Sequence, residues 1–167
     1  NSVFESHLEK KYEISKLICI DPTNIAKLTL KENIKKFKFY KAALTDKKKI
    51  GKIFIPYFDE DINYSVENII QSRKTMKINF IDISTIIKSN KIKEIDILKL
   101  DVEGIADKVI FNCFKKNIYP KQICLELERP IFFDQITFFK RLIKFQSIVG
   151  KYYNIFYYTT KKRGQRI

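Results

Sequence analysis

The chain has 167 residues, 45% of them hydrophobic and 14% aromatic, which suffices for one sizeable core and gives no reason for a second, so a single domain over 1–167 is expected. No apolar run approaches the roughly 20 residues that span a bilayer, and no secretory leader is legible, which points to a soluble, cytoplasmic protein. The formal charge of +14 favours anionic partners, while the single histidine, His7, excludes a histidine-rich metal site or a histidine dyad, and no metal is expected.

Short β-rich apolar runs alternate with segments of helical period, the pattern of a mostly parallel sheet with helices on both faces. Val3 to Tyr12 has helical period with Val3, Phe4 and Leu8 inward, and Lys16 to Ile20 is the strand that follows, closed by Asp21-Pro22. Asn24 is placed to cap a helix from Ile25 to about Ile34. A strand is expected from Phe37 to Leu44, a charged turn from Asp46 to Lys49, and another strand from Gly51 to Ile55. The polar stretch from Pro56 to about Lys74 is long for a connection inside a compact domain and marks a functional or disordered loop.

Thr75 to Ile81 alternates as a strand, and Asp82 caps a short helix to about Lys88. Ile95 to Leu100 leaves only Asp96 and Lys99 polar, the signature of a buried strand, and Asp101-Val102-Glu103-Gly104 closes it. The next helix carries Val109, Ile110, Cys113 and Phe114 on one face and stops near Tyr119-Pro120. Gln122 to Leu127 is a further strand ended by Glu128-Arg129-Pro130. Asp134 is placed to cap a helix with Ile136, Phe139, Leu142 and Ile143 inward, broken at Gly150 before a last strand from Asn154 to Tyr158. Cys19, Cys113 and Cys124 lie in apolar stretches at spacings of neither a zinc site nor a disulfide framework, and are expected as reduced core thiols.

In an open doubly wound sheet, ligands bind beyond the C-terminal ends of the strands. Those ends carry Asp21, then Leu44-Thr45-Asp46, then Asp101 with Glu103, then Glu126 with Glu128, many carboxylates for a chain poor in acid. Each taken alone is as well explained by a helix cap or a turn. The charge excess is spread from Lys10 to Lys162 with only five arginines, and Lys, Ile and Asn rise together as an A/T-rich coding sequence makes them do, so solvated surface lysines are favoured over a nucleic-acid site.

Three segments, Cys19-Ile20-Asp21-Pro22-Thr23, Ile95 through Gly104 (IDILKLDVEG) and Pro120 through Glu126 (PKQICLE), resemble in order and spacing the FkbM family of class I S-adenosylmethionine-dependent methyltransferases. The tail Tyr153 to Tyr158 also resembles that family's terminal strand. The resemblance implies a doubly wound, mostly parallel Rossmann-like α/β sheet, its first strand and glycine-rich turn missing from this sequence, and S-adenosylmethionine as cofactor. It implies that Asp21, with Pro22 and Thr23, holds the cofactor ribose, that Ala43, Leu44 and Asp46 line the adenine, and that Asp101 also meets the cofactor. Asp101, Glu103 and Glu126 are the implied catalytic carboxylates, and Tyr64, Ser65, Glu128 and Arg129 the implied substrate loops. The acceptor is expected to be a small molecule or glycan hydroxyl.

The chain departs from the family pattern at several points. It has no G-x-G; Ile105-Ala106 stands where Ala-Glu is usual, Glu128-Arg129 where a histidine pair is common, and Tyr64 where a histidine is common. A carboxylate or the substrate itself is therefore the expected proton acceptor. The competing readings are a catalytically degenerate methyltransferase-like domain and a basic nucleic-acid-binding module or RNA methyltransferase. A nicotinamide dehydrogenase lacks its glycine fingerprint here.

Overall fold

Two strands, Lys38–Lys41 and Gln122–Leu125, return through a helix to pair parallel with the strand before them, as such a crossover requires. The structure, a computed structural model, describes residues 3–56, 64–68, 72–102, 104–127 and 135–156, and falls into two compact units, Asn1–Ile131 and Phe132–Ile167.

In the first unit α1 (Val3–Lys11) leads into β1 (Ile18–Asp21), α2 (Asn24–Asn33) and β2 (Lys38–Lys41), and β1 pairs parallel with β2 in the register Ile18 with Lys38 to Asp21 with Lys41. The strand expected from Phe37 to Leu44 divides at Ala42. Its second part, β3 (Ala43–Leu44), leaves β2 and pairs parallel with β5 (Thr75–Ile81), against which β4 (Lys49–Phe54) runs antiparallel. After α3 (Ile83–Asn90), β6 (Ile97–Leu100), α4 (Ala106–Lys115) and β7 (Gln122–Leu125) make a second crossover with β6 and β7 parallel. The architecture is thus mixed α/β with parallel pairs, but the strands form three small sheets, β1-β2, β3-β5-β4 and β6-β7, instead of the single sheet expected.

Local chemistry explains most element boundaries. Asp82 caps α3 by accepting from the Thr85 N–H at 2.8 Å, and Lys91 in the left-handed region ends it. Thr23, not Asn24, caps α2, its Oγ1 accepting from the Ala26 N–H at 3.2 Å. On α4 the stripe Val109, Ile110, Cys113 and Phe114 is buried as its spacing requires, each large apolar side chain contributing about 1.5 to 3 kcal/mol. A second cluster joins Ala43, Ile53 and Phe80, with Tyr64 and Val66 packed on it from the loop, and the Ser65 N–H and C=O bridge to Phe54. Gly51 faces Phe80 across the hairpin. A methyl group there would lie 2.4 Å from the ring, so only glycine admits this packing.

Two helical faces differ from expectation. No residue of α1 is buried and Val3 is 54% exposed, because Phe4 and Leu8 border a cavity instead of a packed layer. In the second unit, α5 (Gln135–Val149) buries Phe145 and Val149, while Ile136, Phe139 and Ile143 are exposed. Asn154 to Phe156 form no strand, and Tyr157 and Tyr158, like Asp134, lie outside the described residues. Among the described residues no helix is long and apolar enough to cross a membrane, and no cluster of three or more His, Cys, Asp or Glu is placed to hold a metal ion.

Candidate functional site

β1 and β6 border, along their whole length, one cavity of about 1090 Å³, slightly larger than the roughly 1,000 Å³ at which the range of ligand pockets ends. Asp21 enters it from β1 and Asp101 from β6. Pro22 and Thr23 border the same space beside Asp21, Ala43 and Leu44 reach it from β3, and Tyr64 from the loop after β4. Asp46 and Ser65 do not line it; Ser65 is buried in its bridge to Phe54. Glu126 is exposed just beyond β7 and is also absent from the cavity wall. Glu103, Glu128 and Arg129 lie outside the described residues.

Asp21 is held by its own turn. Its Oδ1 accepts from the Thr23 N–H at 2.7 Å and from the Thr23 hydroxyl at 2.6 Å, while that hydroxyl oxygen also caps α2. One residue therefore fixes both the carboxylate and the helix behind it, leaving Oδ2 without a protein donor among the described residues. Asp101 presents the opposite case. The helix after it begins at Ala106, its cap position is Ile105 and it has no side-chain cap bond, so Asp101 is not a cap. It is exposed at the cavity mouth with no hydrogen bond or ion pair to a described residue. Gly104 follows with φ of 78°, a left-handed turn that redirects the chain from β6 into α4.

A second polar group in the cavity has no counterpart in the sequence reading. Lys99 of β6 lies 3.5 Å from Glu5 Oε1 and 5.1 Å from the centre of the Phe4 ring, both on α1. Cys19 of β1 borders the same space; burial pushes its thiol up to about 11, Glu5 and Asp21 push the same way, and Lys99 opposes them. Glu5 Oε2 is buried with no hydrogen-bond partner, a state that costs about 1 to 3 kcal/mol. The only hint in the sequence was a lysine inside an otherwise apolar strand. Cys124, expected in the core, is exposed because it alternates outward on β7, whereas Cys113 is buried and Cys19 half-buried.

The lysines of the β4-β5 hairpin form a third feature. Lys52 and Lys77 stand directly opposite each other across the two strands, both exposed, and neither is paired with a carboxylate of the described residues. Like charges in that position repel. No family model, no curated protein and no solved structure matches this chain.

Proposed function

We propose that the protein is an S-adenosylmethionine-dependent methyltransferase of the FkbM type, methylating a hydroxyl of a sugar or another hydroxylated metabolite in the cytoplasm. The proposed fold is the doubly wound Rossmann-like sheet, with a first strand and glycine-rich turn lying outside this sequence, whose four glycines supply no such turn. The observation that carries the reading is the meeting of Asp21 and Asp101, from two separate parallel strand pairs, at one cavity.

The residues present fit the cofactor. Asp21 is anchored through Oδ1 by Thr23, so Oδ2 can accept from ribose hydroxyls without losing that anchor. Ala43 and Leu44 are buried and apolar, suited to the edge of an adenine ring. Bound S-adenosylmethionine supplies an electrophilic methyl group. The protein's part is alignment and proton removal. Asp101, unbonded to described residues at the mouth, accepts the proton of the acceptor hydroxyl, and Tyr64 on the cavity wall borders the acceptor.

Calorimetric titration with S-adenosylmethionine and single-turnover methylation of the protein with its glycine-rich turn test this. Asp21→Ala is expected to weaken cofactor binding roughly tenfold or more, the equivalent of about 1.5 to 3 kcal/mol. Asp101→Asn is expected to lower turnover about 10²- to 10⁴-fold at unchanged cofactor affinity. Cofactor binding without turnover in the unaltered protein points to the degenerate domain, and absence of binding overturns the proposal.

A second reading, a nucleic-acid-binding surface, is favoured by the exposed Lys52 and Lys77 pair, which a bound phosphate relieves. RNA binding whose salt dependence flattens on Lys52→Ala and Lys77→Ala would support it.

A further inference from the structure

The second unit holds a charge asymmetry that the proposed reaction does not use. Between Gln135 and Ile167 the sequence carries eight lysines and arginines and no aspartate or glutamate, so this fifth of the chain supplies more than half of the formal charge of +14. Basic residues are spread along the whole sequence, but the acids are not. α5 opens this stretch, and its sequence QITFFKRLIKFQSIV gives it two apolar faces. Phe138, Leu142, Phe145 and Val149 recur at helical spacing on one of them, where Phe145 and Val149 are buried and Phe138 and Leu142 half-buried. Ile136, Phe139 and Ile143 make the other, 66%, 56% and 63% exposed. The first face gives the helix its apolar contact and leaves the second in water. That second stripe is about 10 Å long by the rise of a helix, and Lys140 and Lys144 edge it. Both lysines are exposed, and neither is paired with a carboxylate of the described residues.

We infer that α5 is a membrane-surface anchor, lying in the plane of an anionic bilayer with Ile136, Phe139 and Ile143 entering the outer acyl region and Lys140 and Lys144 reaching the lipid phosphates. The inference rests on the second unit alone and is independent of the proposed reaction. Charge selects the partner. A stripe bordered by lysines, on a helix without a single acid, is complementary to an anionic surface, and each Lys or Arg held near such a surface strengthens the binding. The four-carbon stem of lysine keeps the ammonium at headgroup level while its apolar neighbours go deeper.

The same features disfavour the other occupants. A second copy of α5 brings lysines against lysines with no acid to neutralise them. Nucleic acid engages the lysines through its phosphates but leaves Ile136 and Ile143 in water, whereas acyl chains accept both. Beyond the helix, exposed Tyr152 and Phe156 add rings of the kind that settle at the headgroup boundary.

The chain contains no tryptophan, so Phe139→Trp places a single reporter on the stripe. The full chain is mixed with vesicles of phosphatidylcholine alone and of phosphatidylcholine with about one third phosphatidylglycerol. Reporter emission is expected to shift to the blue on the anionic vesicles only, and to be quenched by lipids brominated near the top of the acyl chain. Co-sedimentation with the anionic vesicles is expected to weaken roughly tenfold or more in Ile136→Ser/Phe139→Ser/Ile143→Ser, and roughly tenfold in Lys140→Ser/Lys144→Ser. The urea midpoint of both variants is expected to stay that of the unaltered chain, because these five side chains are exposed. The inference is overturned by no binding to the anionic vesicles, by equal binding to the neutral ones, or by binding that the triple variant retains. Blue emission in the lipid-free chain at every concentration, or a lowered urea midpoint of the triple variant, overturns it by showing the stripe covered by this chain's own residues. A lipid-free blue shift that grows with chain concentration assigns the stripe to a second copy, and an equal shift on adding RNA assigns it to nucleic acid; either overturns it too.

Discussion

Two places in the first unit hold the same three kinds of side chain and reach different ends. At the junction of α3 and α4, Cys113 lies near Asp82 and Lys116; in the cavity, Cys19 lies near Glu5 and Lys99. Burial pushes both thiols up to about 11. Asp82 nevertheless accepts from the Thr85 N–H, the Ser84 hydroxyl and the Lys116 ammonium, and is only 4% exposed. Glu5 has one contact at 3.5 Å and a buried oxygen with no donor. The difference lies in completeness. The first trio is a closed structural network, and the second leaves one buried oxygen without a donor among the described residues.

The comparison predicts its largest effect at Asp82. Asp82→Ala removes the α3 cap and one partner of the half-exposed Lys116, which keeps its bond to Ser84, for an expected loss of about 1 to 3 kcal/mol in urea unfolding. A loss below about 0.5 kcal/mol would break the distinction between the two trios.

Acid titration examines the same network without mutation. Burial alone would raise the Asp82 carboxyl, but its bonds to Lys116, Thr85 and Ser84 outweigh that and hold it well below its ordinary 3.8. Its folded value is thus depressed, so its contribution to stability is complete above about pH 4 and is lost as the pH falls through the folded value. Unfolding free energy is expected to decline below about pH 4 in the unaltered chain and less steeply in Asp82→Asn. Equal slopes would remove Asp82 as the titrating group.

Cysteine alkylation separates closure from thiol chemistry. With both thiols at about 11, the thiolate fraction at pH 8 is about a thousandth at Cys19 and at Cys113 alike. Iodoacetamide is expected to modify exposed Cys124 first, then Cys19 from the cavity, and Cys113 only on unfolding. Mass spectrometry that finds Cys113 modified no later than Cys19 would show the two sites to be equally open.

How much of this was legible in the sequence follows from the range of each interaction. The β5 strand, the Asp82 cap and the buried α4 stripe are set by residues a few positions apart, and they lie where spacing puts them. The strand-end rule names Asp21 and Asp101, but the cavity they share also runs along β1 and β6 to their N-terminal ends, and the strands form three small sheets, so the rule does not account for it. The division at Ala42 was not legible, since Phe39 to Leu44, apolar but for Lys41, carries no sign that its halves choose different partners. Nor was the Glu5 to Lys99 contact, which joins residues 94 positions apart and leaves no local pattern. Asn24 looked like the cap of α2 by type, but Thr23 holds the place because its hydroxyl is already fixed by Asp21.

The smallest predicted effect is the most discriminating. Glu5 and Lys99 satisfy the distance for a salt bridge, and a finished bridge that is partly buried loses stability when one member is removed. An unfinished one behaves otherwise. Glu5→Leu removes an oxygen that is buried without a donor, fills similar space with carbon, and leaves Lys99 partly exposed above the Phe4 ring. The change is therefore expected to be neutral or to stabilise the 167-residue chain by up to about 1 kcal/mol, although it deletes an ion pair. Lys99→Met is expected to destabilise instead, because it leaves both Glu5 oxygens without a donor. Urea unfolding of the two variants side by side gives opposite signs if the cavity trio awaits a donor, and the same sign if it is already the structural equal of the Asp82 network.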